Sequence, residues 1–175
     1  VSPTTATVTI ADNDSATAVL SVTTQGNETG PVNVVYTVTL SQANNTGCAI
    51  TFDLASTGGT AVSGSDYTAI PAGTKISVAV GSNTGTYSLP VIDDALVEST
   101  ETVTATISNS SNAAVTISTA SATANIVDNE SATASLSVTT QGNETGPVNI
   151  VYTVTLSQTN NTGSSITFDL ASTGG

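Results

Sequence analysis

The side chains of this chain that could do chemistry are carboxylates and little else. Its 175 residues hold 13 acidic side chains, one basic side chain (Lys75), one cysteine (Cys48), and no His, Met or Trp. Between Ser15 and Glu130 the acids are Glu28, Asp53, Asp66, Asp93, Asp94, Glu98, Glu101, Asp128 and Glu130. Six of these nine crowd into two stretches, Asp93-Asp94-x-x-x-Glu98-x-x-Glu101 and Asp128-Asn129-Glu130. Crowded carboxylates repel one another and retain protons unless positive charge intervenes. Lys75 is the only basic residue on offer, and its pattern puts it mid-strand. A hard divalent cation resolves the conflict. Ca2+ fits best, because it accepts about six to eight oxygen ligands in irregular geometry.

The same inventory excludes other chemistries. A net charge of -12 leaves no basic patch to neutralise a nucleic-acid backbone or adsorb to an anionic membrane. No apolar run approaches the ~20 residues of a helical membrane span, so no direct membrane insertion is expected in this segment. There is no nucleophile–base pair, phosphate-binding glycine loop or zinc spacing, and an enzyme is not expected. Cys48 has Ser164 as its counterpart in the next copy, which argues against a disulfide framework and for a small, half-buried residue. Asn27, Asn44, Asn109 and Asn129 open N-glycosylation patterns, a match that a chain this rich in Thr, Ser and Asn produces by chance.

The elements that must position the acids come from a repeat. Residues 15–59 return at 131–175 with 40 of 45 positions identical at an offset of 116, and Asp12-Asn13-Asp14 anticipates Asp128-Asn129-Glu130. The domain organisation read from this is the last strand of one repeat at 1–14, a complete repeat at 15–130, and the first part of the next at 131–175. A period of this length suits a domain with its own core, and near-identical copies in series suit a spacer better than a catalyst.

Within the repeat, apolar residues alternate at period two. They do so over 17–24 and 32–40, then at Ile50, Phe52 and Leu54, and at Ile76, Val78 and Val80. The pattern continues at Tyr87, Leu89 and Val91, at Val103, Ala105 and Ile107, and at Ala122, Ala124 and Ile126. Gly, Asn and Pro punctuate these runs. Seven half-buried strands follow, the pattern of an all-β antiparallel sandwich. The Thr-rich alternation at 5–9 reads as the wet face of an ordinary strand.

Several separated motifs then carry a family resemblance. Gly59-Thr60-Ala61, Gly64-Ser65-Asp66-Tyr67, Pro90-Val91-Ile92-Asp93-Asp94-x-x-x-Glu98-x-x-Glu101 and the closing Ala-x-Ile-x-Asp-Asn-Glu resemble the Calx-beta domain. That module occurs in sodium–calcium exchangers, integrin β4 and large bacterial surface proteins. The resemblance spans the whole repeat. It implies tandem immunoglobulin-like seven-stranded antiparallel sandwiches with calcium at one end. It places metal ligands on Asp66, Asp93, Asp94, Glu98 and Glu101, with Asp128 and Glu130 added from the end of the last strand. Glu28 resembles a family position near the first strand pair. Ala95 and Asn129 stand where calcium-binding members often carry further acids, which points to one or two ions and not a full cluster.

The functional expectation is a structural repeat of a long extracellular bacterial surface fibre or adhesin. Its partners would be neighbouring repeats and copies of the same protein, with a cell-surface or matrix ligand elsewhere in the parent protein. Calcium at the closing triplet, which runs into Ser131 without a linker, would stiffen the joints. Two alternatives stand beside this reading. One is an adhesive ligand-binding module, against which the loops lack aromatic platforms. The other is a calcium-sensing regulatory domain, which seldom needs near-duplicates in series. An isolated half-sandwich at 131–175 is expected to expose open edges and to be unable to stay ordered alone.

Overall fold

The computed structural model describes residues 5–9 and 13–173. Among them are eleven strands and no helix. In chain order the strands are β1 (Ala16–Thr24), β2 (Gly26–Asn27), β3 (Val34–Leu40), β4 (Ile50–Gly59), β5 (Lys75–Val78) and β6 (Thr84–Leu89). They continue with β7 (Glu101–Ser108), β8 (Val115–Thr119), β9 (Ser121–Val127), β10 (Ala134–Thr140) and β11 (Val151–Leu156). One sheet has the order β6-β3-β1-β8 and a second the order β2-β9-β7-β4-β5, while β10 and β11 form a separate hairpin.

The two larger sheets enclose one core. Alternation places Leu20, Tyr36, Val38, Phe52, Leu54, Ile76, Leu89, Val103, Ile107 and Ile126 inside, all within the single cluster that spans Ala18 to Ile126. Burying such side chains contributes about 1.5–3 kcal/mol each. Tyr36 Oη donates to the Val103 carbonyl at 2.8 Å, so the one polar atom of the largest core residue ties β3 of the first sheet to β7 of the second.

The seven strands expected from alternation all form. Two additions lie beyond them. β8 pairs parallel with β1 from Ala16↔Val115, and β2 pairs parallel with β9 at Gly26↔Ile126, so two outer pairings of an otherwise antiparallel sandwich run the other way. Val80 is 53% exposed and not buried as its spacing suggested, because β5 ends at Val78 and the chain turns through Gly81 at φ 82°. Cys48 is exposed, not half-buried. Asn44 is buried, its amide donating to the Cys48 and Val78 carbonyls at 2.8 and 3.0 Å. That leaves no room for a glycan there.

Residues 5–9 and 13–14 form no strand. The ladder that β9, the counterpart of residues 5–9, makes with β7 has no equivalent at residues 5–9 among the described residues. Residues 1–4 and 10–12 of the expected preceding strand lie outside the described residues. In the second copy, order is partial: β10 and β11 form a hairpin, while residues 166–173 are not a strand.

Candidate metal centre

All the singled-out acids except Asp53 collect at one end of the sandwich, brought there by three approaches of backbone. The first is the parallel run of β2 beside β9, continued by Glu28 N–H donating to the Val127 carbonyl at 3.0 Å. Gly26 makes this possible. A Cβ there would meet Ile126, Val34 and Val91 side chains, each at 3.0 Å, so a larger residue would push β2, and Glu28 with it, off the core. The second approach joins residues 66–68 to 90–92: Thr68 N–H donates to Pro90 and Ile92 N–H to Asp66, both at 2.9 Å. The third is the antiparallel register Glu101↔Ile126, which sets the start of β7 beside the end of β9.

Two triads result, each with one carboxylate oxygen per residue and all three oxygens within 4.8 Å of one another. They are Glu28, Asp93 and Glu130, and Asp66, Asp94 and Glu98. Glu101 joins the second triad through a hydrogen bond with Asp66. Asp128 sits between them, accepting from the Glu98 backbone N–H at 3.0 Å and bonding the Glu130 side chain. All seven residues named from the resemblance therefore share one end of the fold. Glu28, the eighth, is the most enclosed of them together with Asp66, each 3% exposed.

Backbone donors hold several acids in place. Asp66 accepts from Val62 N–H and closes its own turn. Asp94 accepts from Leu96 N–H at 2.7 Å, and Asp93 from the Asn129 amide at 3.2 Å. Asp66 thus caps a turn, as an isolated aspartate would, and also contributes to a triad. Asp53 lies elsewhere, paired with Lys75 and accepting from the Asn109 amide at 2.8 Å. The one cationic side chain is spent away from the cluster.

The electrostatics show what the cluster lacks. Burial, then the hydrogen bond that Glu28 donates to Glu130 and the charges of Asp128, Glu130 and Asp94, push Glu28 up to about 8. Burial and the hydrogen bond with Asp66 push Glu101 up to about 7. Glu98 is raised by burial and by Asp66 and Asp94, and Glu130 chiefly by its bond with Asp128. Acids that bond one another can do so only by keeping a proton between them. Meanwhile Glu28 Oε2, Asp128 Oδ1 and Glu130 Oε2 are buried without a hydrogen-bond partner. Unpaired buried oxygens on an all-carboxylate donor set fit a hard cation that would replace the protons.

The cluster also lies at a contact with the second copy. Asn161 N–H donates to the Val97 carbonyl at 2.9 Å, the Ser99 hydroxyl donates to the Thr162 carbonyl at 3.2 Å, and the Asn161 side chain bonds Glu98. Sequence spacing gave no sign of this contact, which joins residues over 60 apart.

Against this geometry stand the comparisons with known proteins. The Calx-beta domain family profile matches residues 12–130. Among solved structures, the chain is similar to the apo-form Calx CBD1 domain, with a TM-score of 0.51 and 20% sequence identity over 66% of this chain and 99% of that one. It is also similar to CBD12 from CALX1.2, with a TM-score of 0.52 and 19% identity over 63% of this chain. It spans only 44% of that structure. At such identities the likeness is one of fold. No curated protein sequence matches the chain.

Proposed function

The chain belongs to the Calx-beta domain family, and from that premise we propose that residues 15–130 are a calcium-holding structural repeat of a long extracellular bacterial surface fibre or adhesin. Calx-beta domains are non-catalytic modules that bind Ca2+. In this repeat the ion would be held by Glu28, Asp93 and Glu130, by Asp66, Asp94 and Glu98, or by both sets, with Glu101 joining the second set and Asp128 lying between the two. Bound calcium supplies the positive charge that the cluster lacks. The chain's own residues do the rest: Gly26 lets β2 carry Glu28 inward, and Val62, Leu96 and Glu98 N–H groups fix the orientation of Asp66, Asp94 and Asp128.

The observation that carries the reading is the position of the cluster. Its Glu98 is hydrogen-bonded by Asn161 of the following copy, and Glu130 runs directly into Ser131. An ion held here restrains two repeats at once. Extracellular calcium modules work at ~10⁻⁴–10⁻³ M, so such joints would be slack inside a cell and stiff outside it.

Small-angle scattering from two complete repeats in series tests this. Millimolar calcium should lengthen and narrow the distribution of interatomic distances relative to chelator. Identical profiles in the two conditions would contradict the stiffened joint.

A further inference from the structure

In the second copy, partial burial at the end of the hairpin falls on alternate residues Leu156, Gln158, Asn160 and Thr162. These lie where residues 96–99 of the complete repeat dock, through the Asn161–Val97 and Thr162–Ser99 hydrogen bonds and a parallel bridge between Val97 and Asn160. The chain contains that docking loop a second time. Residues 42–46 differ from 158–162 only at Ala43, which is Thr159 in the later copy.

The two loops have the same internal structure. The Asn44 side chain accepts from Thr46 N–H and hydroxyl at 3.1 and 2.7 Å and donates to Cys48 at 2.8 Å. Asn160 makes the same bonds to Thr162 and Ser164 at 3.1, 2.7 and 2.8 Å. Yet Gln42 and Thr46 are exposed where Gln158 and Thr162 are half-buried. What separates them is the loop lying on the second copy. On the first, a cavity of about 280 Å³ opens between Asp14, Gln42, Asn45, Thr46 and Asn112.

We infer that the face formed by residues 42–46 is a docking surface for residues 96–99 of a second copy of this sandwich, joining successive copies head to tail. Asn45 N–H takes the place of Asn161 N–H toward the Val97 carbonyl, and the Thr46 carbonyl that of Thr162 toward the Ser99 hydroxyl. The loop is shaped in advance by Asn44, so little ordering cost attends the contact. Different surfaces meet on the two partners, so association propagates and need not stop at a dimer. The contact is small, and an affinity on the order of 10⁻⁴–10⁻³ M is expected of an interface well under ~1,000 Å². It uses no ion and stands apart from the calcium reading.

In the 175-residue chain residues 96–99 are already covered by the second copy, so the probe is the excised repeat 13–130. Every member of the core cluster lies inside it. The ¹⁵N-labelled full chain is titrated to millimolar concentration with this unlabelled repeat, once in chelator and once in calcium. Perturbation of the Asn45 and Thr46 amides is expected in both arms. Gln42→Glu in the labelled chain adds a negative charge to the face that would meet the acidic end of the sandwich and should weaken binding about tenfold, and Ser99→Ala in the probe should weaken it as well. Because Gln42 and Ser99 are both exposed, neither change threatens the fold. Unmoved amides at 42–46 in both arms would overturn the inference. So would perturbation confined to the exposed β10–β11 face.

Discussion

Residues 15–59 and 131–173 carry nearly the same sequence and reach different structures. In both, the first two long strands pair in one register: Ala18↔Leu40 through Thr24↔Val35, and Ala134↔Leu156 through Thr140↔Val151, with the same irregularity at Val22/Thr24 and Val138/Thr140. The Thr23–Thr37 and Thr139–Thr153 hydroxyl pairs are both 2.9 Å apart. Beyond the hairpin the copies part. Ile50–Gly59 is strand β4, held between β5 and β7, whereas residues 166–173 form none. Phe52 is fully buried and Phe168 is 51% exposed. Hairpin register is encoded locally by alternation and turn chemistry, but a central strand and a core exist only when distant strands close over them.

The largest effect should come from supplying those distant strands. A chain in which residues 60–130 are repeated after Gly175 should fold a second sandwich, adding ~80 kcal/mol to the unfolding enthalpy at ~0.7 kcal/mol per residue. Amides at 166–170 should become protected from hydrogen exchange. If calorimetry finds no added enthalpy, the difference between the copies does not lie in missing partners.

Next in size is a pair of matched truncations. Phe52→Ala should cost about 3–5 kcal/mol, as core aromatics do, and Phe168→Ala less than about 0.5 kcal/mol, both read by urea denaturation of the 175-residue chain. Equal costs would mean that both faces are buried in solution.

A subtler pair sits in the acidic cluster. Glu28 is buried there, while its counterpart Glu144 is exposed. In chelator at neutral pH, Glu28→Gln should raise the melting midpoint by about 2–5 °C, the worth of roughly 1 kcal/mol in a domain of this size, because Glu28 must take up a proton to fold and Gln need not. In calcium it should lower the midpoint relative to wild type. Glu144→Gln should change neither.

Acidity gives the smallest and broadest effect. In the folded chain Glu28 titrates near about 8 and Glu101 near about 7, above the ordinary 4.5. Between those values the folded state binds more protons than the unfolded, so stability falls as pH rises. The calcium-free midpoint should therefore decline between about pH 5 and 8, and calcium, by taking the place of the protons, should flatten the decline. A calcium-free midpoint that climbs over this range would contradict the shared-proton account.

The same division between local and distant information decides what could be read from sequence. Period-two alternation and turn residues located the seven main strands, and the convergence of Asp66, Asp93, Asp94, Glu98, Glu101, Asp128 and Glu130 followed from motif order along a known family pattern. The parallel pairings of β2 and β8 did not follow, since alternation reports which face is wet and not which edge is joined. Val115 and Ile117 did alternate, but the strand they form is short and its remaining residues are polar. The burial of Glu28 was hidden for a similar reason. Its carrier is Gly26, whose role is a close approach to Ile126 a hundred residues later. The β10–β11 hairpin pairs locally, residue against nearby residue, and needs none of the distant strands for its register.

The most direct test is thermal unfolding of the 175-residue chain in millimolar calcium and again in chelator, with wild type beside Asp93→Ala and Asp94→Ala. A midpoint raised by calcium in wild type, with the rise reduced in Asp93→Ala, in Asp94→Ala or in both, is the result expected of calcium held by one or both triads. The same midpoint with and without calcium in wild type would mean that the carboxylates are a proton-sharing surface and hold no ion.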